Sequence, residues 1–510
     1  MSDYVPGLSV RDEMKLSKLF HGIIPLNSFS GDLEVEGVSS DSRQVCPGDL
    51  FVAIPGHEKD GRAYVTEAVY KGASAVVLSK PVSGVTVPQF AVENPRLVLP
   101  QLAARFYEEP SRHLRLFGIT GTNGKTTLTF LLESIFNVAG FVPGVLGTVN
   151  YRYPGKTLEA PNTTPGPLAL QRLLAEMKRS NVSHVVMEVS SHALDQERVR
   201  EIHFDGVAFT NLTWDHLDYH TTLEDYFAAK LRLFTEVLPA SKKRNKFCVI
   251  NREDSWGRKI VGECGERLIE VGFEPSCTVY GKSFEMGPSG SRLKFVLEGK
   301  EGLLNSSLMG RFNLENILVA IGMAHGAGIS MDQMIQGIEA VRVVPGRLES
   351  IPNNRGFFIF VDYAHTPDAL ARVGQTVKGV VPGRLITVFG CGGDRDPHKR
   401  PMMGREVTQF SDLVIVTSDN PRTEEPEKII NEIWKGIRET NFPHGKLLRI
   451  PDRREALRKS LELARPGDGI LIAGKGHEDY QIIGKEKFHF SDQEVLKEIL
   501  GGSVKGESGR

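Results

Sequence analysis

At 510 residues, 40% apolar and 25% charged, the chain has the composition of a soluble globular protein and is too long for one ordinary core, so two to four domains are expected. Its 62 basic and 63 acidic residues leave a net charge of −1, which excludes a global attraction to nucleic acid or an anionic membrane but not a local anion site. Five scattered cysteines (Cys46, Cys248, Cys264, Cys277 and Cys391), none in a CxxC pair, indicate neither a disulfide framework nor a zinc site and fit a reducing compartment.

In chain order, three blocks emerge. Residues 1–112 form a small α/β unit. PGDLFVAIPG (47–56) and ASAVVLSK (73–80) read as strands, and TEAVYKGA (66–73) between them as a short helix ending at Gly72. Residues 113–344 open with the buried-strand pattern LRLFGIT, followed by an amphipathic helix, TTLTFLLESIFNVAG, closing at Gly140. Strands are expected at 183–189, 204–212 and 246–250, alternating with helices, which predicts a mainly parallel sheet. From residue 345 the alternation restarts, with strands at 357–364, 384–393, 412–419 and 468–476. Ligands in such sheets bind beyond the carboxyl ends of the strands, so the loops ending at Asp362, Gly393, Asp419 and Gly474 are the ones to inspect. The tail GGSVKGESGR is expected to be disordered. No run reaches the ~18–20 apolar residues of a membrane span. The N-terminus lacks an apolar signal core, so a cytoplasmic protein is expected.

The strongest single motif is GITGTNGKTT (118–127), placed between a strand and a helix. Small residues let backbone N–H groups point at phosphate, and the helix N-terminus favours the negative charge. Gly121, Thr122, Asn123, Gly124, Lys125, Thr126 and Thr127 form this loop; Lys125 would reach the β/γ-phosphates and Thr126 would bind Mg²⁺. The motif departs from GxxxxGK[ST], because Ile119 stands where the first glycine should fall and Gly121 comes two residues later. A Gly-rich turn with a surface lysine is the bland alternative.

TGTNGKTT resembles the phosphate loop of the Mur ligases and of folylpolyglutamate synthetase, enzymes that phosphorylate a carboxylate with ATP and let an amine displace phosphate. Further motifs extend the resemblance from about residue 30 to 495. VVMEVSSHALDQERV supplies Glu188, NLTWDHLDYH supplies His216 and YFAAKLRLF supplies Lys230. In the family the corresponding Glu and His help bind Mg²⁺. The corresponding Lys is carbamylated by CO₂, giving N6-carboxylysine, since a bare ammonium would repel the metal. RFNLENILVA (Asn313, Asn316), VVPGRLE (Arg347) and VDYAHTPD (Asp362) resemble family motifs that contact nucleotide or orient domains. Helix capping and surface ion pairing are their ordinary alternatives.

At the N-terminal end, VSSDSRQVCPGDLFVAIPGHEKDGR resembles the family's UDP-muramoyl domain, placing Ser40, Ser42, His57, Glu58 and Lys59 near the nucleotide. Asn162, Thr163 and Thr164 in APNTTPG, with Ser190, Gln196 and Arg198, match positions that hold the muramoyl peptide. Near the C-terminus, DNPR (Asp419, Asn420, Pro421, Arg422) resembles the signature of the diaminopimelate-adding branch. A substrate zwitterionic at both ends needs a cation for its distal carboxylate, which Arg422 and Arg395 offer, and an acceptor for its distal ammonium, which Glu478 and the Gly474 backbone offer.

The resemblance implies an α/β protein of three domains: an N-terminal UDP-binding α/β domain, a central P-loop ATPase domain with a mainly parallel sheet, and a C-terminal Rossmann-like domain. It implies ATP-dependent joining of meso-diaminopimelate to UDP-N-acetylmuramoyl-L-Ala-D-Glu in peptidoglycan synthesis. Mg²⁺ and the CO₂-derived carbamate on Lys230 would assist. A monomer with neither nucleic-acid nor membrane partner is expected. Three rivals remain: a folylpolyglutamate synthetase, a P-loop NTPase switch, and a non-catalytic nucleotide-binding regulator.

Overall fold

A computed structural model describes residues 13–26, 31–56, 60–216 and 219–501. Three main sheets follow one another along the chain, beside two two-stranded ribbons, Met14–Lys15 with Glu34–Val35 and Tyr480–Ile483 with Glu486–His489. The first has four strands in sequence order, Gly37–Ser39, Asp49–Val52, Ala75–Leu78 and Gln89–Ala91, all parallel. The expected helix is Val65–Tyr70, and the chain turns out of it through Gly72 at φ 103°, which a glycine adopts without steric penalty.

The central sheet has eleven strands. Its middle is parallel, with Arg115–Thr120 between His184–Glu188 and Gly206–Phe209, then Phe247–Asn251 and Arg267–Gly272. The chain leaves Arg115–Thr120 and reaches neighbours on both sides of it, so the loop after that strand opens into the crevice where ligands bind. The helix Lys125–Val138 packs Leu128, Leu131, Leu132 and Ile135 into the core beneath, and Gly140 follows it at φ 82° as expected. An antiparallel meander, Val279–Gly287, Gly290–Leu297 and Lys300–Ser306, extends the far edge. The βα alternation gave no sign of it, because its strands pair locally through tight turns.

The third sheet runs Glu349–Ser350, Phe358–Asp362, Gly469–Ala473, Leu385–Phe389, Leu413–Val416 and Leu447–Arg449, parallel except for the first pair. Asp362 ends its strand, and Asp419 and Gly474 stand just beyond the ends of theirs. The chain is therefore α/β with a mainly parallel central sheet.

One expectation is corrected. Cys248 and Cys264 pair as a disulfide, while Cys46, Cys277 and Cys391 are free. The pairing spans 16 residues because the short helix Ser255–Val261 returns the chain to the strand it left. No spacing rule for metal or framework cysteines covers that case. No helix among the described residues is long and apolar enough to cross a membrane. The tail beyond residue 501 lies outside the described residues.

Candidate active site

The phosphate loop is shaped by two glycines. Gly121 sits at φ 145°, and a Cβ there would overlap Thr210 Oγ1. Gly124 caps the helix at φ 90°, and a Cβ there would overlap the Asn316 amide. The following loop braces it: Asn211 takes the Thr122 N–H on its carbonyl (2.8 Å) and the Asn123 N–H on its side chain (2.9 Å). Asn211 was not singled out from the sequence; its only signal is a polar residue just past a buried strand.

A cavity of about 230 Å³ opens over this loop. It gathers Thr122 to Thr127, Glu188, His216, Asn313, Asn316, Arg347 and Asp362, all expected at a nucleotide site, with Thr163 and Ser190 at one side. Thr126 Oγ1 donates to the Glu188 carboxylate at 3.0 Å, which also accepts from the Thr148 N–H and hydroxyl. Arg347 reaches from the third sheet to Thr126 Oγ1 at 3.2 Å and lies over the Tyr363 ring. Both Asp362 oxygens accept backbone N–H groups, from Leu348 and Ala364, so Asp362 holds the turn that aims Arg347. Asn313 and Asn316 are tied to Met309 O and to each other, which fixes the wall against the loop.

Two lysines meet under the loop. Lys125 Nζ donates to Gly121 O and Thr122 O at 2.8 Å each, and Lys230 Nζ to Gly121 O at 3.0 Å. Burial lowers the Lys125 pKa against the pull of Glu188 and Asp215. Burial, reinforced by Lys125, holds the Lys230 amine well below the usual lysine range. His365, also on the cavity wall and not foreseen, is pushed down to about 4 by burial and then by Lys399.

Among the described residues, no group of three His, Cys, Asp or Glu side chains stands ready to hold a metal. Mg²⁺, however, takes few protein ligands and completes its shell with water and phosphate oxygens. Thr126 and Glu188, hard oxygen donors side by side in the cavity, fit that demand.

A second cleft, of about 700 Å³, lies between the first sheet's domain and the central one. Ser40, Ser42, Gln196 and Arg198 line it together, with Tyr64 and Arg96 in addition. Arg198 is buried, donating to Thr164 O and to the Gln196 side chain. Thr164 in turn bridges Glu188 O and the Ser190 N–H, and Asn162 O accepts from the Tyr151 hydroxyl. The NTT turn thus links the cleft to the phosphate cavity. His57, Glu58 and Lys59 lie outside the described residues.

The third cluster joins the ends of two parallel strands. Asn420 Nδ2 donates to Glu478 at 2.8 Å, and Gly474 (φ 113°) leaves room for Asp419, since a Cβ there would stand 2.5 Å from Asp419 Oδ2. Lys475, fully buried and missed in the sequence, donates to Asn420 and Glu478 at 3.3 Å each and lies 3.9 Å from Asp419. Burial, then the nearby Asp419, raises the Glu478 pKa. Arg422, at φ 52°, donates to Gly393 O at 2.7 Å. Gly392 makes space for it beside the exposed Arg395: a Cβ there would lie 2.9 Å from Arg422 Nη1 and 3.8 Å from Arg395 Cγ.

Three family models match successive parts of this arrangement: "Mur ligase family, catalytic domain" over 34–107, "Mur ligase middle domain" over 119–324, and "Mur ligase, glutamate ligase domain" over 346–476. The chain belongs to the Mur ligase family. It is 46% identical to a UDP-N-acetylmuramoyl-L-alanyl-D-glutamate–2,6-diaminopimelate ligase of Geobacter metallireducens, covering 91% of this chain and 94% of that one. It is 44% identical to the enzyme of the same name from Geobacter sulfurreducens, covering 97% and 100%. A solved structure carrying that enzyme name superposes with a TM-score of 0.69 at 30% identity, over 96% of this chain and 99% of that one. A folylpolyglutamate synthase from Mycobacterium tuberculosis, solved with ADP, shares the fold at a TM-score of 0.62 and 18% identity, over 75% and 92%. A Mur ligase is an ATP-dependent ligase.

Proposed function

We propose that the protein joins meso-diaminopimelate to the D-Glu γ-carboxylate of UDP-N-acetylmuramoyl-L-alanyl-D-glutamate at the expense of ATP, forming the tripeptide precursor of peptidoglycan. The observation that carries this reading is the convergence of two cavities and one charged cluster. The cleft with Ser40, Ser42, Gln196 and Arg198 continues through Thr164 and Ser190 into the phosphate cavity. Arg347 lies over Tyr363, which packs on His477 in the loop that carries Glu478, and Glu478 accepts from Asn420 of the third cluster.

In this reading the muramoyl dipeptide enters along the NTT turn and its carboxylate attacks the γ-phosphorus of ATP, giving an acyl phosphate and ADP. The diaminopimelate amine then attacks the acyl carbon and phosphate leaves. Lys125 and Arg347 would neutralise charge on the transferring group. Arg422 and Arg395 take the distal carboxylate, and Glu478, Asp419 and the Gly474 backbone take the distal ammonium. Thr126, Glu188, His216 and a carbamate on Lys230 would hold Mg²⁺, which supplies charge neutralisation for phosphoryl transfer. Burial lowers the pKa of the Lys230 amine and so favours the neutral form that adds to CO₂ with loss of a proton, which supports the modification. Intact-mass analysis under CO₂-replete conditions checks it, and a free amine alone would sink it.

The same reading divides the chain at 112/113 and 344/345 into muramoyl-binding, ATP-binding and amino-acid-binding domains. It makes the protein a cytoplasmic monomer that partners neither nucleic acid nor membrane. The deciding experiment measures ADP release from purified protein with ATP, Mg²⁺ and the muramoyl dipeptide, offering meso-diaminopimelate or L-lysine. Release with diaminopimelate, with a tripeptide by mass, is expected. Release with lysine alone would keep the ligase and discard the role of Arg422, and release with neither would return folate and plain NTPase chemistry to consideration.

A further inference from the structure

The proposed nucleotide and amino-acid ends of the site meet at a junction bridged by Gln493, a residue outside every motif read from the sequence. Arg347, which touches the phosphate loop, sits in a turn that begins at Gly346. Gly346 is at φ 64° and packs so closely on the next loop that a Cβ would overlap the His477 backbone nitrogen. That next loop, 474–478, carries Glu478. Glu349 closes the turn by accepting the Gly346 N–H at 3.0 Å. The second hydrogen-bonding partner of that carboxylate oxygen is Gln493, the second residue of the helix Asp492–Gly501. The same Gln493 Nε2 donates to Glu349 at 3.0 Å and to Gly476 O at 2.8 Å. One side-chain amide therefore spans the Arg347 turn and the Glu478 loop, with both its protons used.

We infer that Gln493 is a positioning residue that fixes the amino-acid loop to the nucleotide turn, so that nucleotide held by Arg347 and amino acid held by Glu478 strengthen each other's binding. This rests on the function proposed above. The physical basis is that each N–H of a single amide can satisfy one fixed acceptor, so the two acceptors are held at a set separation. A shift of the Arg347 turn on binding nucleotide is passed to Gly476 through Gln493 rather than absorbed by solvent. Coupling of this kind is reciprocal in binding free energy.

The test compares the full-length protein with Gln493→Met, which keeps side-chain length without donors, and Gln493→Lys, which restores a donor at similar reach. Thermal melting monitors the fold. With a non-hydrolysable ATP analogue, the affinity for diaminopimelate is measured with and without nucleotide. Steady-state ADP release gives KM and kcat. In Gln493→Met the KM for diaminopimelate is expected to rise about tenfold, as for loss of a hydrogen bond to a charged acceptor. Its kcat should stay within about twofold, the tightening by nucleotide should disappear, and Gln493→Lys should restore part of both.

Wild-type turnover of diaminopimelate together with an unchanged KM in Gln493→Met would overturn this inference alone. An equal rise in KM for ATP, dipeptide and amino acid with a lowered melting temperature would also overturn it, leaving Gln493 a merely structural residue. Wild-type protein that fails to use diaminopimelate would overturn the proposed function, and this inference with it.

Discussion

The phosphate loop and the cluster proposed to take the amino acid are built on different principles. The loop is shaped by backbone geometry, with two glycines at positive φ, close approach to Thr210 and Asn316 and neutral N–H donation to Asn211, and Lys125 and Lys230 donate to its carbonyls. The pocket is held from below by buried ion pairs. Arg453 and Asp492, both fully buried, pair at 2.6–2.7 Å, and Arg453 donates onward to Ser418 O and Ala473 O, the residues just before Asp419 and Gly474. Arg400, also buried, grips Glu424 with two nitrogens, reaches Glu432, and donates to Gly392 O beside Arg395. The loop proposed to present N–H groups to phosphate carries no acidic side chain between Gly121 and Thr127. The cluster proposed to present charged side chains to a zwitterion rests on buried ion pairs, which resist displacement because breaking one leaves an uncompensated buried charge.

The contrast can be broken most severely at Arg453. Arg453→Met strands the Asp492 carboxylate in the core and is expected to cost about 3–5 kcal/mol in urea unfolding. The double variant Arg453→Met/Asp492→Leu should regain most of that stability yet keep a raised KM for the amino acid. Recovery of KM along with stability would show that packing, not charge, sets the pocket.

Next in size is Lys125→Ala. ADP release should fall on the order of 10²–10³-fold with the melting temperature little changed, because the glycines and Asn211 brace the loop beside the two hydrogen bonds that Lys125 makes to it. A large drop in melting temperature would show that those lysine bonds, rather than the glycines and Asn211, hold the loop.

Arg422→Ala sharpens the other side. For diaminopimelate, kcat/KM should fall roughly a hundredfold, about 2.7 kcal/mol, as expected when one partner of a desolvated charge pair is removed, while the KM for ATP holds. An effect under about threefold would place the distal carboxylate elsewhere.

The smallest effect is read by pH. His184 packs among Phe117, Phe136 and Phe141 and is pushed down to about 4 by burial, then by Arg115. Above about 6.5 its ring is neutral in folded and unfolded chains alike. As pH falls from there toward 4, only the unfolded chain takes the proton, so stability declines. His184→Phe should flatten that decline between pH 7 and 5 in urea midpoints, with no change in the amino-acid KM.

Much of the site could be read in the sequence for a local reason. The phosphate loop, Glu188 at its strand end, Asp362 and DNPR each lie within a few residues of a strand terminus, where a parallel sheet puts its ligands. The residues that escaped notice act across the chain. Asn211 braces a loop 88 residues earlier, Lys475 bridges to Asn420 over 55, and Arg453 to Asp492 over 39. The edge meander at 279–306 and the Cys248–Cys264 pair were hidden likewise, since neither follows from the βα rhythm.

By itself, the sequence determined where the strands end and which small, polar and charged residues follow them, because strand burial, glycine backbone freedom and turn chemistry are local properties. Only the tertiary structure decided that the Arg347 turn rests on the Glu478 loop, that two lysines share the Gly121 carbonyl, and that buried arginines hold up the amino-acid pocket. Those arrangements depend on which sheets dock and at what distance, and the free energy of a buried charge is fixed by the partners that docking brings within reach.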